Sequence, residues 1–178
     1  MRALALDEVW WLVSPGNPFK AGAADMAPLA TRLASARAMA RAAPIRATAI
    51  EGRLGTRYTV DTLRALRRRY PKQRFIWLMG GDNLVQFDRW RDWRGIARTV
   101  PIAVVARPSY NEQALAAPAM GWLRRYRHPA TAATRWTTWS LPALVLLRFR
   151  PDPTSATAVR AADPDWHRRF ADRTASRS

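Results

Sequence analysis

The chain has 178 residues, 48% of them apolar, which suits one domain with a real core and disfavours a disordered chain. It contains no cysteine, so disulfides and thiolate zinc sites are excluded, and no apolar run approaches the length of a membrane-spanning helix. Lysine occurs only at Lys20 and Lys72, so the net charge of +17 is carried almost wholly by arginine.

In chain order, Val9 to Val13 is a short β-branched and aromatic run, the pattern of a buried strand. Ser14-Pro15-Gly16-Asn17-Pro18 breaks it with turn residues. The Ala-rich stretch from Pro28 to Arg41, with Leu29, Leu33, Ala36 and Ala40 near helical spacing, predicts a helix that ends before Pro44. Ile45 to Ile50 reads as a second strand and Gly52 to Arg57 as a loop. Thr59 to Arg69 predicts a helix with Val60, Leu63 and Leu66 on one side. Phe75 to Met79 is a third buried strand that runs into Gly80-Gly81. Asn83 to Phe87 and Trp93 to Arg98 predict short helices, and Ile102 to Ala106 a fourth strand between prolines. Glu112 to Arg125 is helical in part, interrupted by Pro118. Leu144 to Phe149 is a fifth strand, Ser155 to Ala162 the start of a terminal helix, and the chain from Arg168 a polar tail. Continuous apolar strands alternating with helices imply an α/β fold with a parallel sheet. No composition shift marks a domain boundary.

The positive charge admits two readings. A basic, aromatic-containing domain carries the footprint of a nucleic-acid binder. Ala and Arg are also what GC-rich codons supply, and scattered arginines on solvated faces need no ligand. The scattered reading is favoured, since Arg67-Arg68-Arg69 is the longest run and sits at a predicted helix end, where cations suit the dipole. His128 and His167 stand in no metal or triad pattern and are read as surface residues.

In sheets of this kind ligands bind beyond the carboxyl ends of the strands, so the segments after the strands carry the chemistry. Gly80-Gly81-Asp82-Asn83 lets a ligand approach the backbone, and Asp82 offers a carboxylate to ribose hydroxyls; a plain strand-to-helix turn with Asp82 as N-cap is the simpler alternative. Ser155, Thr157 and Arg160 at a helix start suit a phosphate, although a Ser/Thr cap with an exposed arginine is the commoner meaning of that pattern. Trp90 and Trp93 share a face if their segment is helical, and one ring is available to stack on a pyridine base unless both serve the core.

Each motif is weak alone, but their order is not. DEVWWLVSPGNPFK, YTVDTL, FIWLMGGDNLVQFDRW, IAVVARP and SATAVR, in that order, resemble the nicotinate-nucleotide adenylyltransferases along nearly the whole chain. The resemblance implies a Rossmann-like nucleotidyltransferase fold of mainly parallel strands. It implies a single domain over residues 1–167 with a tail over 168–178. The implied activity is adenylyl transfer from ATP, with Mg2+, to nicotinate mononucleotide, releasing pyrophosphate in NAD biosynthesis. By the same resemblance Ser155, Thr157 and Arg160 hold ATP phosphates, Gly80 and Asp82 the adenosine side, and Arg107 the adenine and phosphates. Tyr58, Thr59 and Trp90 hold the nicotinate ring and its carboxylate, and Lys20 belongs to the substrate loop. A cytoplasmic protein without membrane or nucleic-acid partner is the expectation, with homo-oligomerisation left open. A related adenylyltransferase with another acceptor, such as phosphopantetheine, an inactive nucleotide-binding fragment and a basic nucleic-acid-binding module are the alternatives.

The family opens with a strand, a G-G-x-F-D-P-x-H-x-G-H loop and a helix, a unit of about thirty residues that has no counterpart in this sequence. The resemblance places the catalytic histidines in that loop, where they stabilise charge developing at the α-phosphate. No catalytic residue and no metal ligand is therefore assigned within the chain. The expectation is that Met1 is an internal residue of a longer protein whose start was set too late; a true, poorly active fragment is the other account.

Overall fold

The computed structural model describes residues 1–15, 27–41, 43–106, 111–148 and 162–163. They fall into two compact units. Lys20, Arg107, Ser155, Thr157 and Arg160, the terminal helix and the polar tail lie outside the described residues.

The first unit contains strand β1 (Val9–Leu12), helix α1 (Leu29–Ala40), strand β2 (Ile45–Thr48) and helix α2 (Ile50–Leu54). β1 and β2 are parallel, with Val9 opposite Ile45 and Leu12 opposite Thr48. A parallel pair needs a crossover, and α1 lies within it. Val13, Ala36 and Ala47 form its small core, against which Leu29 and Leu33 pack. Arg32 links the end of β1 to the start of α1 by donating to the carbonyls of Ala27, Ser14 and Pro15 at 2.9, 2.7 and 3.1 Å. Helix α2 corrects the expected loop over 52–57. Ile50 and Glu51 are buried, so packing outweighs the low helix propensity of Gly52, and the helix stops at Gly55 with φ +64°, a conformation glycine adopts freely.

The second unit holds helix α3 (Thr59–Arg69), strand β3 (Trp77–Gly80), helix α4 (Gly81–Val85), helix α5 (Trp93–Thr99) and strand β4 (Ile102–Val105). It continues with α6 (Asn111–Ala116), α7 (Pro118–Leu123), β5 (Arg127–His128) and β6 (Leu144–Leu147). The four strands form one parallel sheet in the order β3-β4-β6-β5. Ile102, Ala103 and Val104 in the central β4 are buried, as a strand covered on both faces requires. Val60, Leu63, Leu84, Phe87, Ile96 and Leu144 lead the core. The strands are thus parallel, as expected, but among the described residues they divide into two sheets. Pro118 starts α7 where the sequence placed an interruption, because proline's fixed φ suits the first turn.

The segment after α7 departs from the sequence expectation in two ways. His128, expected at the surface, is half-buried and stacks on Trp139, with ring centroids 4.1 Å apart and planes 4° apart. A 3-10 stretch over Ala130–Thr138 also went unpredicted; Trp136 within it donates its indole N–H to the Leu4 carbonyl at 2.8 Å. No helix among the described residues is long and apolar enough to cross a membrane.

Candidate functional site

The carboxyl end of β3 is the best-defined part of the site. The strand ends at Gly80, whose extended backbone (φ −78°, ψ 162°) is the N-cap of α4, and the chain turns into that helix at once. Gly80 therefore takes the capping position that the plain-turn alternative assigns to Asp82. Asp82 lies in the first turn, where the helix dipole favours a carboxylate. It is half-buried, and its Oδ1 is shielded from solvent. Leu84 in the same helix is fully buried, which anchors α4 to the core.

Trp90 follows a 3-10 turn over Phe87–Arg89. Its backbone is extended (φ −74°, ψ 141°) and its N–H donates to the Phe87 carbonyl at 3.0 Å. Trp90 and Trp93 do not share one helix, because Asp92 interrupts the segment and caps α5 by accepting from the Gly95 N–H at 3.0 Å. Both tryptophans instead meet the buried ring of Phe87 edge-on, at 5.5 and 5.8 Å. Trp77 contacts Trp90 in the same manner at 6.3 Å. Edge contacts of this kind fix the half-buried Trp90 ring in place.

Tyr58 is the N-cap residue of α3 and Thr59 its first residue, both half-buried. The Tyr58 carbonyl accepts from the Thr62 N–H at 3.0 Å and from the Thr62 hydroxyl at 3.2 Å, which fixes its backbone. Its ring carries the Arg91 guanidinium at 4.5 Å. That contact joins the start of α3 to the segment bearing Trp90, and Tyr58 and Trp90 pack on the same core. Arg91 and Phe87 had no part in the sequence reading of the site. The helix predicted from Trp93 starts as expected, and its Asp92 cap is what separates Trp93 from Trp90.

Among the described residues no three His, Cys, Asp or Glu side chains gather as a metal site. Gly80, Asp82, Tyr58, Thr59 and Trp90 all lie in the second unit. What they offer is a glycine turn, a carboxylate beside it, and a fixed indole linked through Arg91 to a tyrosine. Such a set can accept from hydroxyls and stack on a planar ring.

A parallel α/β sheet with a glycine turn and a carboxylate at the carboxyl end of a strand is the setting of a nucleotide-binding protein. Residues 1–162 match the family model described as cytidylyltransferase-like, which makes the chain a nucleotidyltransferase by family. Its relatives narrow this further. A protein of Erythrobacter litoralis named "Probable nicotinate-nucleotide adenylyltransferase" is 62% identical over 170 residues, 96% of this chain and 77% of that protein. Relatives of the same name from Parvibaculum lavamentivorans and a Bradyrhizobium species are 51% and 46% identical, over 90% and 93% of this chain and 79% and 86% of their own. The chain belongs to the nicotinate-nucleotide adenylyltransferase family.

Proposed function

We propose that the protein transfers the adenylyl group of ATP to nicotinate mononucleotide, yielding nicotinate adenine dinucleotide and pyrophosphate, a step of NAD biosynthesis in the cytoplasm. The observation that carries this reading is the 62% identity to a relative of that name over 96% of the chain. A mononucleotide phosphate oxygen attacks the α-phosphorus of ATP; the new O–P bond forms as the bond to the bridging oxygen breaks, and that oxygen leaves with pyrophosphate. Such transfers depend chiefly on positioning and on charge stabilisation.

Within the described residues, Gly80 lets the adenosine half approach the backbone and Asp82 accepts from its hydroxyls. Tyr58, Thr59 and Trp90 hold the nicotinate ring, with the indole fixed for stacking by Phe87 and Trp77. Arg107, Ser155, Thr157 and Arg160 are assigned to ATP and Lys20 to the mononucleotide, on the match of their motifs alone. Mg2+ arriving with ATP would neutralise charge on its phosphates. Such an ion keeps its waters and uses one or two carboxylates besides phosphate oxygens, so it needs no three-residue cage of the kind absent among the described residues. Residues 1–167 are proposed to form one nucleotidyltransferase domain with 168–178 as its tail, a division supported by the family match over residues 1–162.

The test is pyrophosphate release from ATP and Mg2+ with nicotinate mononucleotide, its amide counterpart or phosphopantetheine as acceptor. It is run on this chain and on a form extended upstream to the next in-frame start. Turnover with nicotinate mononucleotide in either form is the expected result. Turnover with phosphopantetheine alone, or with no acceptor in either form, overturns the proposal.

A further inference from the structure

Arginines that look scattered along the sequence converge around one indole. Trp122, near the end of α7, carries the Arg94 and Arg98 guanidiniums at 5.8 and 5.6 Å from its ring centroid. Arg94 also lies over Trp93 at 4.7 Å. Trp93 meets Trp122 edge-on at 5.4 Å, Tyr126 tilts against it at 4.9 Å, and Arg125 lies over Tyr126 at 6.0 Å. Arg94 and Arg98 are spaced four apart on α5, so they share one face of that helix.

These arginines differ from others of the second unit in how they are held. Arg64 and Arg91 face Asp61 and Asp92. Arg94, Arg98 and Arg125 are exposed, and among the described residues none of them forms an ion pair. Rings rather than carboxylates fix them. A cation–π contact leaves the charge of a guanidinium and its outward N–H donors available. The result is a preorganised row of cations whose ordering entropy is already spent in the fold.

We propose that this arginine–aromatic cluster is a nucleic-acid-binding surface that grips the phosphodiester backbone. The guanidinium fork matches phosphate oxygens, and the net charge of +17 supplies long-range attraction. Trp122 is half-buried and already engaged by two rings and two guanidiniums, so exposed cations and not a free indole are what the cluster presents. Binding therefore reads phosphates and not sequence. An acidic protein partner is disfavoured for the same reason, since such interfaces bury aromatic anchors that here are already engaged. The surface uses no residue assigned to adenylyl transfer, so it stands or falls independently of that activity.

Fluorescence anisotropy of the full chain with short labelled DNA, single-stranded and duplex, tests this at about 150 mM salt. The decisive comparison is between two charge-matched double reversals. Arg94→Glu with Arg98→Glu removes the cluster; Arg68→Glu with Arg69→Glu removes the same charge from the exposed end of α3. The first is expected to weaken binding more than tenfold and to flatten the salt dependence by about two phosphate contacts, the second less than threefold. Arg94→Gln with Arg98→Gln, expected to lose less, guards against misfolding, and matched thermal transitions confirm each variant is folded. Equal losses in the two reversals would show a general charge effect and overturn the proposal. So would the absence of saturable binding, a strong sequence preference, or displacement of the DNA by an acidic peptide as readily as by unlabelled DNA.

Discussion

Asp92 illustrates how much one residue decides. Its backbone lies in the left-handed region (φ +45°, ψ 48°), its carboxylate caps α5 through the Gly95 N–H, and the same carboxylate accepts from Arg64 at 2.7 Å. A Cβ on Gly95 would overlap that carboxyl group, so glycine is needed where the cap folds over the helix. Asp92→Ala loses the cap and leaves a poor left-handed residue, and is expected to lower stability by about 1–2 kcal/mol in urea unfolding. Asp92→Asn keeps a capping oxygen and tolerates the conformation; it loses only an exposed ion pair, for less than about 1 kcal/mol. If Asn costs as much as Ala, the charge matters and the cap does not. The proposed site residues are expected to separate kinetically at this same scale. Trp90→Ala should raise the KM for nicotinate mononucleotide far more than that for ATP, and Asp82→Ala should do the reverse. Since removing a single stacking or hydrogen-bonding partner costs about 1–3 kcal/mol, changes of roughly ten- to hundredfold in kcat/KM are expected. Equal effects on both substrates would contradict the division of roles.

At the scale of elements, the two tryptophans that flank the start of α5 are held by one ring, Phe87. That ring is fully buried and supports Trp90 and Trp93 edge-on. Phe87→Ala is expected to cost about 3–5 kcal/mol of stability. The milder Phe87→Leu should raise the mononucleotide KM and leave that of ATP nearly unchanged, because Trp90 loses its support while the Gly80 turn does not. A KM shift shared by both substrates would mean that the element moves as a whole. Elements with a strong local pattern were legible in advance: α3 runs from Thr59 to Arg69 as its apolar spacing predicts, and β4 follows its Ile-Ala-Val-Val run. The turn at Gly80-Gly81 was legible because the end of an apolar strand marked by glycine needs little context. Elements set by distant contacts were not. Burial of Ile50 and Glu51 makes α2 a helix despite Gly52, and Trp136 holds its 3-10 stretch through a carbonyl at Leu4. The arginine cluster escaped notice for the same reason, since Trp122 is remote in sequence from Arg94 and Arg98 and only folding joins them.

At the scale of the whole molecule, charge is the dominant unbalanced quantity. Thirty lysines and arginines face 13 carboxylates. The ion pairs seen among the described residues, Glu8–Arg46, Asp61–Arg64, Arg64–Asp92 and Asp61–Arg91, are all solvent-accessible, and two of them are as long as 4.0 Å. Pairs of that kind contribute little, about 0–1 kcal/mol each, whereas self-repulsion among the excess cations opposes the compact state. Raising the salt from about 0.01 to 0.15 M shortens the Debye length from about 30 to 8 Å and screens both effects. Repulsion acts between many well-separated charges and attraction within a few close pairs, so screening should relieve more than it removes. The thermal midpoint is therefore expected to rise, by about 2–4 °C for each kcal/mol gained in a chain of this size. Arg94→Glu with Arg98→Glu lowers the excess charge and should shrink that rise, provided the variant folds as the parent does. A midpoint that falls on adding salt would mean that the ion pairs outweigh the repulsion, and that the arginines are placed for stability and not left free for an anionic partner.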